Sequence, residues 1–99
     1  MPEKLKILGI DPGTTVTGYG LVEIRGKNPV ILEKGKITPR RGSTHYERLK
    51  ILHRESLKIV EQLEPDVMAI EAPFYGKDIQ AMLKLGRAQG VIMAAALIH

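Results

Sequence analysis

Two short stretches of the sequence each run an apolar segment straight into a single carboxylate. The first is Ile7-Leu8-Gly9-Ile10-Asp11, followed by Pro12-Gly13, and the second is Val67-Met68-Ala69-Ile70-Glu71, followed by a break containing Pro73. In each, a strand-forming run ends on the acid and a Pro-containing turn follows, so the carboxylate is held at a rigid strand end. Rigid carboxylates suit Mg²⁺, a hard cation that takes one or two carboxylates together with phosphate oxygens and waters. If the two strands are neighbours, the acids converge. A pair at one sheet edge helps to hold two Mg²⁺ ions, which activate a water and stabilise the leaving oxygen in phosphodiester hydrolysis. Taken singly, the Asp of an Asp-Pro-Gly turn is more often a turn cap, and a lone Glu more often a solvated strand end. The repetition of the pattern favours metal chemistry.

The elements that must position these acids follow from periodicity. Lys4 to Asp11 and Gly18 to Ile24 read as two strands joined through Pro12-Gly13. After the break at Arg25-Gly26-Lys27-Asn28-Pro29, Val30 to Thr38 reads as a third, and three strands in succession form an antiparallel meander. Thr44-His45-Tyr46-Glu47 is a capping box, with Thr44 capping a helix and Glu47 reaching back to its amide. Leu49, Leu52, Ile59, Val60 and Leu63 then recur at helical spacing until Pro65 stops the run, giving an apolar face that needs a sheet to cover. Val67 to Ile70 is wholly apolar, which predicts a strand buried on both faces of a mixed or parallel sheet. Lys77 to Ile98 reads as a second helix. Its Gly86 and Gly90 each cost about 1 kcal/mol relative to Ala, so they imply close packing against a neighbour. The order strand, strand, strand, helix, strand, helix predicts an α/β fold with a mixed sheet covered by helices.

Composition bounds the function classes. With 99 residues, 43% hydrophobic and 26% charged, the chain is one domain or part of one, and its small core leans toward help from a partner. There is no cysteine, which excludes disulfides and thiolate metal sites and fits a reducing cytoplasm. Neither a signal peptide nor a membrane span is legible. The net charge is +4, and the excess is local. Between Lys34 and Lys58 stand eight basic residues (Lys34, Lys36, Arg40, Arg41, Arg48, Lys50, Arg54, Lys58) against Glu47 and Glu55. A polyanionic partner and a merely solvated basic face both fit that excess. His45, His53 and His99 show no metal-ligand spacing with one another and are assigned no role.

The sequence resembles the RuvC family of Holliday-junction resolvases, within the ribonuclease H-like superfamily, in three blocks. These are Ile7 to Gly13 with Thr17-Gly18-Tyr19-Gly20, then Pro65 to Glu71 with Phe74, then Ala81-Met82-Leu83-Lys84-Leu85-Gly86-Arg87-Ala88-Gln89-Gly90. The resemblance runs nearly the whole length and implies that residues 1–99 are the N-terminal part of a single nuclease domain. It implies a homodimer that nicks four-way DNA junctions symmetrically, with a four-carboxylate site binding two Mg²⁺ ions and the RuvA-RuvB branch-migration complex as partner. Asp11 and Glu71 match the first two acids. The other two are expected beyond His99, so these residues by themselves are expected to be inactive. Phe74 matches an aromatic that stacks on a base at the opened crossover, with Tyr75 a weaker candidate of the same kind. Lys77, Lys84 and Arg87 would meet phosphates, although each, taken singly, is more often a solvated helix charge. Gly86 and Gly90 fall where the family makes its dimer contact, and packing on the chain's own sheet would explain them equally well.

Two other readings remain open. Asp11-Pro12-Gly13-Thr14-Thr15 also looks like the first phosphate loop of actin-like ATPases and sugar kinases. That reading leaves the Glu71 and Phe74 block unexplained, and it needs a second domain. The other is a non-catalytic nucleic-acid-binding module that retains the two acids.

Overall fold

The computed structural model describes residues 4–13, 15–71 and 78–99. The meander expected from the sequence is present as β1 (Lys4–Asp11), β2 (Thr17–Arg25) and β3 (Asn28–Ile37), paired antiparallel in that order. Gly26, at φ +62°, supplies the left-handed backbone that lets β2 turn tightly into β3. A bulge falls between Leu21 and Val22. Then follow α1 (His45–Leu63), β4 (Val67–Ile70) and α2 (Ile79–Leu97). The sheet order is β3-β2-β1-β4, with β4 parallel to β1.

Period-two alternation divides the sheet into two unlike faces. Leu8 and Ile10 of β1, Leu21 of β2 and Ile37 of β3 point to one side, where they form a core with Leu52, Ile59 and Val60 of α1 and Ala88 and Ile92 of α2. Fully burying each of the Leu, Ile and Val side chains among these is worth about 1.5–3 kcal/mol. Tyr19 lies on the same side and its ring crosses Gly35. A Cβ on Gly35 would come within 2.5 Å of the Tyr19 hydroxyl, which accounts for a glycine inside β3. Both helices lie on this side.

The helix ends are fixed by side chains. Thr44 and Glu47 make the predicted capping box at the start of α1, where Thr44 Oγ1 accepts from Glu47 N at 3.2 Å and Glu47 Oε1 accepts from Thr44 N at 3.1 Å. Glu64 ends α1 in the left-handed region, just before Pro65. The second helix begins two residues later than expected. Asp78 Oδ1 accepts from the amides of Gln80 and Ala81, which makes Asp78 the cap.

Two expectations are corrected. β4 does not have both faces covered: Met68 and Ile70 turn to the core, while Val67 and Ala69 are exposed on the other side. An apolar run of four residues cannot tell one buried face from two. Gly86 and Gly90 do not pack on the chain's own sheet either, since a Cβ at either position would meet nothing within 4 Å among the described residues.

Candidate active site

The register of β1 against β4 brings the two acids together. The start of the pairing is clamped at the helix-covered side: Asp66 Oδ2 accepts from Lys6 N at 2.8 Å, Asp66 N donates to Lys6 O at 2.9 Å, and Lys6 Nζ donates to Leu63 O at 2.8 Å. From that clamp the parallel ladder runs Ile7 with Val67 up to Ile10 with Ile70. It closes where Glu71 N donates to Ile10 O at 3.0 Å. One step further, Asp11 and Glu71 stand level at the carboxyl ends of neighbouring parallel strands. Alternation puts both on the face away from the helices, and both are exposed. From α2, Gln89 Nε2 donates to Glu71 O at 3.4 Å. That contact ties the end of β4 to the helix behind it, and it was not anticipated from the sequence.

The floor beside the acids is nearly bare backbone. Gly9 pairs with Gly20 and Asp11 with Gly18. With Ala69 these residues line an open depression of about 450 Å³ that reaches both carboxylates. A group the size of a phosphate can approach Asp11 and Glu71 over this floor without meeting a side chain from it. Among the described residues no third Asp, Glu or His joins the pair. The site therefore offers two anionic oxygen donors on one rigid sheet edge. The turn after Asp11 is fixed as well: Gly13 N donates to Thr17 Oγ1 at 3.4 Å, and a Cβ on Gly13 would collide with the Val16 carbonyl.

The other predicted site residues divide. Phe74, Tyr75 and Lys77, and Thr14 of the alternative phosphate loop, lie outside the described residues. Lys84 and Arg87 are exposed on α2. Lys84 does not line the depression beside the acids but a separate cleft, together with His45 and Arg48 at the start of α1. Sequence reasoning left His45 without a role, because the α2 side of that cleft, Asp78 to Ala88, is distant in the chain and spacing carries no trace of it.

A four-stranded mixed sheet with strand order 3-2-1-4, helices on one face and two acids level on adjacent parallel strands defines a ribonuclease H-like α/β domain. The comparisons with known proteins narrow that class. The family model for the crossover junction endodeoxyribonuclease RuvC matches residues 7–99, and the chain belongs to this family. It is 55% identical over 97 residues to the crossover junction endodeoxyribonuclease RuvC of Bacteroides fragilis, covering 97% of this chain and 52% of that one. To the RuvC of Porphyromonas gingivalis it is 48% identical, over 97% of this chain and 51% of the relative. Among solved structures it superimposes on Thermus thermophilus RuvC in complex with a Holliday junction substrate with a TM-score of 0.84 at 25% identity, covering 94% of this chain and 58% of that one. The chain thus spans about half the length of the curated relatives it matches. A Ppx/GppA phosphatase from Aquifex aeolicus also superimposes, with a TM-score of 0.62, but at 12% identity this likeness shows a shared fold alone. Among the described residues no helix is long and apolar enough to cross a membrane.

Proposed function

We propose that the full-length protein containing this chain resolves four-way DNA junctions by paired, symmetric nicks, with Asp11 and Glu71 as two of its metal-binding carboxylates. The observation that carries this reading is the placement of the two acids. They are level on neighbouring parallel strands, exposed on one face, beside a floor of glycines. Hard oxygen donors on a rigid edge fit Mg²⁺, with further ligands required from elsewhere in the full-length protein. The chemistry supplied by the metal when bound is activation of a water and stabilisation of charge on the leaving oxygen. Asp11 and Glu71 hold their carboxylates at fixed height, and the glycine floor leaves the phosphodiester room to approach. The Thermus thermophilus relative in complex with a Holliday junction substrate supports four-way DNA as the substrate class.

The test is cleavage of a labelled synthetic four-way junction, against linear duplex, in Mg²⁺ by the full-length protein. Asp11→Asn and Glu71→Gln are each expected to lower nicking by on the order of 10³-fold while junction binding persists. Nicking retained in both variants would refute the assignment. Tight binding without nicks by the wild type would leave a binding module.

A homodimer belongs to the same reading, and α2 carries a surface for it. Ile79, Leu83, Gly86, Gly90, Met93 and Leu97 follow one another at alternating steps of four and three, which puts them in one seam. Ile79 is 72% exposed, Leu83 47%, Met93 42% and Leu97 84%. The two glycines leave room for a second backbone to come close. A second copy of the chain, related by a two-fold axis, would bury the seam against itself. Sedimentation of Leu83→Asp should show a folded monomer, with a melting temperature lowered by the loss of the partner. A dimer that survives the substitution would place the dimer contact on another surface.

A further inference from the structure

The open face of the sheet carries charge on both sides of the glycine floor. Across the strands at the level of the acids the residues run Glu71, Asp11, Gly18 and Lys36, and two residues back along the strands they run Ala69, Gly9, Gly20 and Lys34. Lys34 and Lys36 are exposed on β3, one strand beyond the depression that reaches the acids. We propose that these two lysines hold the phosphate next to the scissile one on the nicked strand, so that the strand lies across the glycine floor from the acids toward β3. The proposal rests on the nuclease reading above and gives it the path of the substrate strand.

Three observations carry it. Alternation fixes the side: Ile37 is buried in the core and the Tyr19 ring crosses Gly35 on the covered face, so Lys34 and Lys36, between and beside them, lie on the open face. The bulge at Leu21 and Val22 falls outside this stretch and leaves its phase intact. Next, the lysine charges are not spent locally. The acid of β3, Glu33, is in register with Leu21 and so belongs to the covered side, and among the described residues neither lysine makes a salt bridge. Finally, the intervening positions on β2 are Gly18 and Gly20, so no side chain of that strand separates the lysines from the acids.

Distance and charge give the arrangement its sense. From β1 to β3 is two inter-strand spacings, about 10 Å, and the flexible four-carbon lysine stem reaches back over part of it. The phosphate within its reach is therefore the neighbour of the one at Asp11 and Glu71. A phosphate meets a lysine directly, whereas it meets two carboxylates only with a cation between. A strand on the floor is thus held by two different means at its two contacts, and the lysines act as positioning residues for the bond to be cut. They read no bases, so they should act alike on any DNA sequence.

The experiment uses the full-length protein and labelled four-way junctions in which one phosphate of the nicked strand at a time is replaced by a neutral methylphosphonate. Binding is measured without divalent metal and nicking in Mg²⁺. The variants are Lys34→Gln with Lys36→Gln, and Lys34→Arg with Lys36→Arg, with folding checked by thermal melting. For the wild type, neutralising a phosphate that adjoins the scissile one should weaken binding on the order of tenfold. The Gln pair should weaken binding to the native junction by a similar factor, lower the slope of log affinity against log salt by about one, and slow nicking. On the junction neutralised at that position the Gln pair should lose nothing further, because the partner of the lysines is already gone. The Arg pair should restore both the affinity and the dependence on that position. Losses that add at every position would overturn the assignment, and so would wild-type binding and nicking by the Gln pair. Self-association of a Gln pair that still nicks normally would make the lysines guards of the β3 edge instead. In each of these cases, nicking by the wild type that is lost in Asp11→Asn leaves the nuclease reading standing. If the wild type neither prefers nor nicks junctions, that reading fails and the path of the strand fails with it.

Discussion

The two faces of the sheet are made from the same strands by alternate residues, yet they share almost nothing chemically. On the helix-covered face Leu8 is wholly buried and Ile10 and Leu21 are each 3% exposed. One residue along in each direction from Ile10, the opposite face presents Gly9 and Asp11, and across from them Gly20 and Gly18. The covered face supplies stability, and the open face supplies access and charge. Because the side-chain period is two, neither set can slip without exchanging roles with the other. The clamp of Lys6 against Asp66 and Leu63 fixes that phase for β4 from the covered side, so the level placement of Glu71 with Asp11 depends on residues remote from the acids.

The widest separation between the faces comes from comparing Leu8→Ala with Asp11→Asn, residues three apart on one strand. Leu8→Ala should cost about 2.7–5 kcal/mol of stability, since it removes a fully buried side chain from the middle of the core. In the full-length protein it should appear as a large fall in melting temperature, with nicking per folded molecule preserved. Asp11→Asn should do the reverse, leaving the melting temperature nearly unchanged and abolishing nicking. If both variants lost stability and nicking together, the division of labour between the faces would be wrong.

Much of this was legible in the sequence, and the parts that were not have a common cause. The meander, the capping box at Thr44 and Glu47, the stop at Pro65, the end of β1 on Asp11 and the end of β4 just before Glu71 are local patterns, and each lies within a residue or two of where periodicity and turn chemistry put it. That β4 pairs parallel with β1 was only a condition in the sequence, because partner choice is a property of the assembled sheet. Coverage of β4 was misjudged for the same reason: Val67 and Ala69 are apolar, but what packs on them is not written in their spacing. The cleft of His45, Arg48 and Lys84 could not be read at all, since it joins residues from two helices that only the packed core brings side by side.

The smallest expected effect separates the acids proposed to serve chemistry from one that serves structure. Glu47, like Asp11 and Glu71, is exposed, but its carboxylate is engaged. It accepts from the Thr44 backbone amide, and that bond first, then the Thr44 side chain, holds its pKa below the ordinary 4.5. A carboxylate depressed in the folded state contributes stability that is present above its unfolded pKa and is lost as pH falls through the folded value. Glu47→Gln keeps a side chain able to reach the Thr44 amide but removes the titration. Melting temperature followed from neutral pH down through the carboxylate range should therefore fall slightly less steeply in Glu47→Gln than in the wild type, with the two curves parallel above it. Asp11→Asn should differ from the wild type in nicking at every pH, as the proposed role of its carboxylate in holding a metal requires.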